Sequence, residues 1–525
     1  MREPSGPPAS TIHGVVLLVP EALGDSPDPE RLRKTLVASP RAARVLLYLT
    51  GNAGHELATM LADLGVDFQI LLAGDAAELK TEALCVRAPR DMSREDQIEF
   101  ALALCDWVFV ASKSDQHPVA RNALRLGMTL IVPGDPLPGF VPETFAHRLD
   151  PESPGWRIFR RINGRLEQAI VEMLAFDSSR RDEKGRLVSG EKLRKCFSWG
   201  WRPEPYFAPE WQASCPDPAA INPDAPIVAA FEAMDRSALH GSYIQRDIAW
   251  FTYIGAAVAV FAAVVGVSGN PRVWVIVELL ALLAVFGAVV WARTSGLQER
   301  WTACRFAAEQ LRIARMSLPL LVLPRALATA DTPPADESDS GEKLELLALA
   351  EVKRAVRDQG LPRLDPAFSP KGAGHWLHLI VSDQIKYHHS NHRKLEHAER
   401  RLRYATQAIF VLAVIAVVVH LIEVFAQLHH HEWLLLFTAA GPAAAAAMHG
   451  AGTRLGIVHR AALSKEMERE LRAIDAPLVE FLKAPKNTPA AWGQMRRLAY
   501  EAANAMGREN TSWHGLVRRY RDELP

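Results

Sequence analysis

Four apolar stretches, grouped as two close pairs, dominate the second half of the chain: 248–267 (IAWFTYIGAAVAVFAAVVGV), 273–292 (VWVIVELLALLAVFGAVVWA), 404–426 (YATQAIFVLAVIAVVVHLIEVFA) and 433–451 (WLLLFTAAGPAAAAAMHGA). A helix rises about 1.5 Å per residue, so roughly 20 apolar residues match the ~30 Å hydrocarbon layer of a bilayer. Only the polar loops SGNPR and QLHHHE separate the members of each pair. The pattern therefore predicts four transmembrane helices arranged as two hairpins. The fourth stretch is the weakest, because Gly441 and Pro442 interrupt it and alanine is barely apolar.

The flanks agree with this reading. Trp250, Trp291 and Tyr404 fall at one interface, Trp274 and Trp433 at the other. Arg246, Arg293, Arg300, Arg393, Lys394, Arg400, Arg401, Arg403, Arg454 and Arg460 crowd one side, against Arg272 alone on the other. That bias places both termini in the cytoplasm of a multi-pass inner-membrane protein. Glu278, His420 and Glu423 fall inside or at the ends of spans. A charge at the bilayer centre costs roughly 2.5–3.5 kcal/mol on insertion scales. These three are pore-lining candidates, or they reach the outer interface or stay uncharged. Gly255, Ala259 and Ala263, and Ala439, Ala443 and Ala447, form small-residue faces for close helix packing.

Residues 12–132 alternate strand-length apolar runs with helix-patterned segments, the habit of a parallel sheet wrapped by helices. Strands are expected at 12–19, 45–50, 68–72, 107–111 and 129–132, and helices near 55–64, 94–104 and 118–126. The turn after the second strand holds Gly51, Asn52 and Gly54 and opens a helix. Its free N–H groups and helix dipole suit a phosphate, although an ordinary strand-to-helix turn has the same look. Asp75, beyond the third strand, stands where a ribose-binding carboxylate often falls or where a helix cap would. Ser112, Lys113 and Ser114 follow the fourth predicted strand on the ligand-binding side of such a sheet. Glu56 and Asp106 are available acids, but no nucleophile–base pair or carboxylate dyad emerges, so no catalytic residue and no cofactor is expected.

Between these parts, 155–176 (GWRIFRRINGRLEQAIVEMLAF) is amphipathic, with Ile158, Ile162, Leu166, Ile170 and Leu174 on one face. It reads as the closing helix of the first domain, or as a helix lying on the membrane surface. Residues 177–226 are rich in Pro and Trp, and 328–342 form an acidic linker expected to be disordered. The segment after each hairpin is helical (299–315 and 459–474) and ends in a Leu-Arg pair, a faint internal repeat.

The 525 residues carry 60 basic and 60 acidic side chains, a balance that argues against a nucleic-acid partner. The five cysteines, Cys85, Cys105, Cys196, Cys215 and Cys304, show no metal spacing and fit reduced cytoplasmic thiols. No cleavable signal peptide is evident at the N-terminus. His388 and His392 lie one helical turn apart with Glu396 beyond, yet the zinc-protease order is absent and no metal is expected. His429, His430 and His431 fill the outer loop.

Cys105–Ala111 (CDWVFVA) followed by 120–134 (ARNALRLGMTLIVPG) resembles the end of the SLOG family of Rossmann-like nucleotide-binding domains. The chain departs from that family where Asp115, Gln116 and His117 replace its glycine-rich turn; TIR-like domains share the alternation. The two hairpin units resemble the SLATT family of two-pass effector domains of bacterial conflict systems. The matching features are Tyr243-Ile244-Gln245-Arg246, then Trp301, Arg305, Ala308, Glu309 and Leu311, then Gln384, Tyr387, His388 and Asn391. These likenesses imply a homo-oligomeric effector that is controlled by a nucleotide-derived ligand and permeabilises the lipid bilayer.

The sequence thus predicts a multi-domain chain: an α/β Rossmann-like parallel-sheet domain at 1–176, a connector at 177–226, a first hairpin domain at 227–323, a linker at 324–345 and a second hairpin domain at 346–525. A membrane-anchored nucleotide-processing enzyme and a housekeeping ion channel or membrane scaffold are the alternative functions.

Overall fold

Short Val- and Leu-rich runs that are apolar on both faces pair only where both faces can be covered, and helices cover them here. The computed structural model describes residues 14–23, 29–37, 43–50, 54–64, 66–73, 83–88, 92–111, 117–126, 128–132, 170, 173–174, 226–268, 271–323, 340–362, 369–426 and 432–522. Six parallel strands, β1 (Gly14–Leu18), β2 (Ala43–Leu49), β3 (Phe68–Leu72), β4 (Leu84–Arg87), β5 (Trp107–Phe109) and β6 (Thr129–Ile131), lie in the order β4-β3-β2-β1-β5-β6. Val16 of β1 stands opposite both Val45 and Trp107. Helices α1 (Pro29–Val37), α2 (Gly54–Asp63), α3 (Arg94–Ala103) and α4 (Pro118–Arg125) intervene along the chain. Ser93 caps α3 by accepting the Asp96 N–H at 3.1 Å. The five expected strands are present, with ends that differ by at most two residues. Strand β4 and helix α1 were not expected: LCVR is only four residues long, and PERLRKTLV hides its apolar face among charges.

The rest of the described chain is helical and built twice on one plan. In the first unit, α5 (Pro226–Ser268) turns into α6 (Pro271–Thr294), which bends into α7 (Leu297–Ser317). After α8 (Ser340–Gln359), the second unit repeats this with α9 (Pro370–Phe425), α10 (Glu432–Arg454) and α11 (Ile457–Lys483), followed by α12 (Pro489–Asp522). Each bend is made by a left-handed glycine, Gly296 (φ 56°) and Gly456 (φ 59°), which avoids the Cβ clash of that backbone conformation. The next residue, Leu297 or Ile457, plunges into the core. The repeat glimpsed in the sequence is thus a repeat of fold.

Three described helices, α5, α6 and α9, are long and apolar enough to cross a membrane, not the four expected. The expected fourth span lies in α10, a helix that is not among those three and that carries Gly441, Pro442 and His449 in its Ala-rich run. It is held by packing: α10 wedges between α5 and α9, giving a row α6, α5, α10, α9. A side chain at Gly441 would press on Ala413 of α9, and one at Gly450 on Tyr253 of α5. Outside the row, a belt of large apolar residues is exposed, including Leu280, Leu283 and Phe286 of α6 and Phe410, Ile415 and Leu421 of α9. Such a surface is out of place in water and at home in hydrocarbon.

Below the belt, sheet and helices share one core. Val16, Leu47 and Phe109 of the sheet belong to the same apolar cluster as Ile227 and Phe231 of α5, Ala307 and Leu311 of α7, and Val352 and Leu361 at α8. Polar contacts pin α8 to the amino-terminal ends of the strands. Arg357 pairs with Asp106 just before β5, Arg44 donates to the Asp358 carbonyl at 2.9 Å, and Gln69 accepts the Leu361 N–H at 2.8 Å. A second core joins Ile313 of α7, Trp376 and Leu377 of α9, Leu471 of α11 and Met495 of α12.

Residues 155–169 and most of the 177–226 connector and 328–342 linker lie outside the described residues, as does the outer histidine loop. Ile170 and Leu174 do not sit on the sheet, as a closing helix would. They pack on Trp250, Leu395, Leu402, Ala451 and Ile457 where the two units meet, because that junction is the apolar surface beside them.

Candidate functional site

The strand order reverses direction across β1 and β5, where open α/β sheets keep their ligand crevice, at the carboxyl ends of the strands. Chain leaving β2, β3 and β5 departs from that one edge. Of the residues singled out there, Gly54 is the first residue of α2. Gly51, Asn52, Asp75, Ser112, Lys113 and Ser114 lie outside the described residues. What is described at the edge is a tie: the short 3-10 turn Pro20–Leu23 follows β1, and its Ala22 carbonyl accepts the Ala111 N–H at 2.9 Å. Glu56 is exposed on α2 and Asp106 is committed to the opposite edge, so the two acids do not meet.

The intramembrane candidates are not gathered into one lining. Glu278 is half-buried on α6, while His420 is half-buried and Glu423 buried on α9. Helices α6 and α9 are the two outer members of the row.

His388, His392 and Glu396, spaced a turn apart in the sequence, do not converge, since Glu396 faces Lys465 at 3.4 Å. Instead His389, His392 and Glu468 converge, with ligand atoms all within 4.8 Å. Glu468 stands 3.0 Å from His389 Nδ1 and 3.1 Å from His392 Nδ1 and accepts two hydrogen bonds from Arg472. The Arg472 and His389 contacts hold its carboxyl below the usual range against the opposing effect of burial. The set can offer three ligands to a metal ion, although Arg472 already neutralises its only carboxylate. Cys105 and Cys304 are buried thiols whose pKa burial pushes up, Cys304 to about 12, which leaves them unreactive.

The most distinctive polar site is a chamber where the two units meet, directly beneath the spans. Gln245, Arg246 and Ala249 of α5, Gln298, Trp301 and Arg305 of α7, Tyr387 and Asn391 of α9, Arg454 to Gly456 at the second bend, Arg460 and Ser464 of α11, and Glu509 of α12 line it. The fold supplies it in a few ways. Gly241 lets α7 approach α5 closely, since a side chain there would strike Trp301 Cβ at 2.8 Å. Asn391 donates to Ser464 at 2.7 Å across the second unit. Gln245 and Gln298 meet at 3.5 Å across the first. Burial, with the charge of Glu309, pushes the Glu509 carboxyl up to about 7 against the pull of Arg305 and Arg312. Next to it His388, 3.8 Å away, is lowered to about 4 by burial.

Gln245, Arg246, Trp301, Arg305, Tyr387 and Asn391, which carried the diffuse effector-family resemblance, therefore stand around one cavity. Arg454, Arg460, Ser464, Gln298 and Glu509 escaped the sequence reading. The arginines were visible only as a topology signal, and Glu509 lies far along the chain from every other wall of the chamber. Comparison with protein-family models, curated proteins and solved structures finds no match to this chain.

Proposed function

We propose that this chain is a multi-pass effector of the inner membrane, with both termini in the cytoplasm and α10 completing a second hairpin. A nucleotide-derived ligand at the carboxyl edge of the sheet rearranges the spans of several assembled copies and permeabilises the bilayer. One observation carries the reading. α5 and α9 are single helices that run without a break from the cytoplasmic cores into apolar spans, and α5 shares its core with the sheet. A shift at the sheet is thereby handed to lipid-facing helices with no flexible joint between. Glu278, His420 and Glu423 sit on outer helices, so a polar lining built from them needs neighbouring copies. The resemblance to conflict-system effectors gives the context of anti-phage defence.

Dye-loaded vesicles holding the purified, inserted protein test this, with nucleotides added one class at a time. Leakage on addition of one class is expected. Confirmed insertion with no leakage under any condition would refute the reading. Nucleotide consumption without leakage would favour an anchored enzyme instead.

A further inference from the structure

We infer that the chamber between the two units is a phosphate-binding site, and that its occupant locks the units together. Four guanidinium groups, Arg246, Arg305, Arg454 and Arg460, line one cavity with a single carboxylate, Glu509. Guanidinium groups gathered in one half-buried cavity make its potential positive, and that potential attracts an anion. Guanidinium forks match the oxygens of a phosphate two at a time. The remaining polar lining fits the same guest: the Tyr387 hydroxyl, the Ser464 hydroxyl and the amides of Gln245, Gln298 and Asn391 all supply hydrogen-bond donors.

Position narrows the source. Arg246 stands two residues before the apolar run that begins at Ile248, and Arg454 is the last residue of α10. Both therefore sit at the depth of lipid headgroups on the basic side of the spans, where pockets between helices take anionic headgroups. A phosphodiester headgroup and free phosphate share the chemistry that the arginines read. Because α5 and α7 line one half and α9, α10 and α11 the other, either guest bridges the two repeats.

The test uses the full-length protein in two arms. In a maltoside detergent free of phosphate, inorganic phosphate is titrated while the unfolding temperature is followed. In vesicles of phosphatidylcholine, with or without phosphatidylglycerol, native mass spectrometry counts lipids retained after extraction. Stabilisation by phosphate identifies a soluble guest, and selective retention of phosphatidylglycerol identifies the headgroup. In either case Arg305→Gln with Arg460→Gln is expected to weaken the effect at least about tenfold, the usual consequence of losing charge-assisted hydrogen bonds. Arg469→Gln, at an exposed arginine paired with Glu466 outside the chamber, should leave the effect intact. Glu509→Gln removes the opposing carboxylate and should tighten binding, which keeps the idea testable if the double variant fails to fold. No response in either arm, or a response that survives the double substitution, overturns the inference. Binding is read without leakage, so the outcome is separate from that of the effector proposal.

Discussion

Asp106 shows how much a side chain's role depends on what the fold brings to it. In the sequence it is an acid at the start of a strand. In the structure one oxygen accepts the Val15 N–H at 2.8 Å and the other takes Arg357 of α8, 251 positions along the chain. Both side chains are largely buried. Asp106→Ala would leave Arg357 without its partner, and a loss of about 3–5 kcal/mol is expected in denaturant unfolding. No local pattern could reveal such a pair, since neither residue is unusual where it stands.

Glu509 and His388 set the pH response. Glu309, Arg305 and Arg312 on α7, Glu468 on α11 and the chamber arginines Arg246, Arg454 and Arg460 surround them. The Glu509 pKa is raised from 4.5 to about 7, so the folded state favours the neutral acid. Its contribution is complete below 4.5 and is lost as pH rises through 7. The His388 pKa is lowered from 6.5 to about 4, so its contribution holds above 6.5 and is lost as pH falls toward 4. Stability should therefore peak in mildly acidic solution. Glu509→Gln should flatten the alkaline limb, by up to roughly 2 kcal/mol at pH 8 in urea melts, and an unchanged limb would contradict the assignment.

At the scale of elements, legibility followed hydrophobic contrast. Two-sided apolar strands such as VLLYL within β2 and the spans of α5, α6 and α9 announced themselves. Strand β4 did not, because its order comes from a neighbour, its ladder to β3; helix α10, expected as the weakest span, is held by α5 and α9. The bends illustrate the same limit. Nothing local distinguishes Gly296 and Gly456 from other glycines, yet both hold a backbone that costs an ordinary residue roughly 1–2 kcal/mol. Gly456→Ala should lower stability by about that amount and loosen the chamber wall that the bend forms. Gly287→Ala, in open space, should be tolerated, and the pair can be compared by thermal melting in detergent.

For the whole molecule, the shared core has a practical outcome. The sheet packs on α5, α7 and α8 through Ile227, Phe231, Leu311 and Val352, so a fragment ending at residue 176 bares that surface. It should aggregate or elute as a mixed species in gel filtration, whereas the full chain in detergent gives a single peak. The full chain should also sediment with membranes and resist carbonate extraction. Recovery in the supernatant would mean that the apolar belt is covered by protein. The candidate ligand loops were placed by strand order alone, while the chamber was invisible in sequence because its walls come from six helices, α5, α7, α9, α10, α11 and α12.

The unbroken length of α9 has a mechanical meaning. Its 56 residues span about 84 Å, so a tilt of roughly 5° about its amino-terminal end would swing the far tip by about 7 Å. A lever of that reach turns a sub-ångström adjustment at its foot into a displacement as wide as a small hydrated ion.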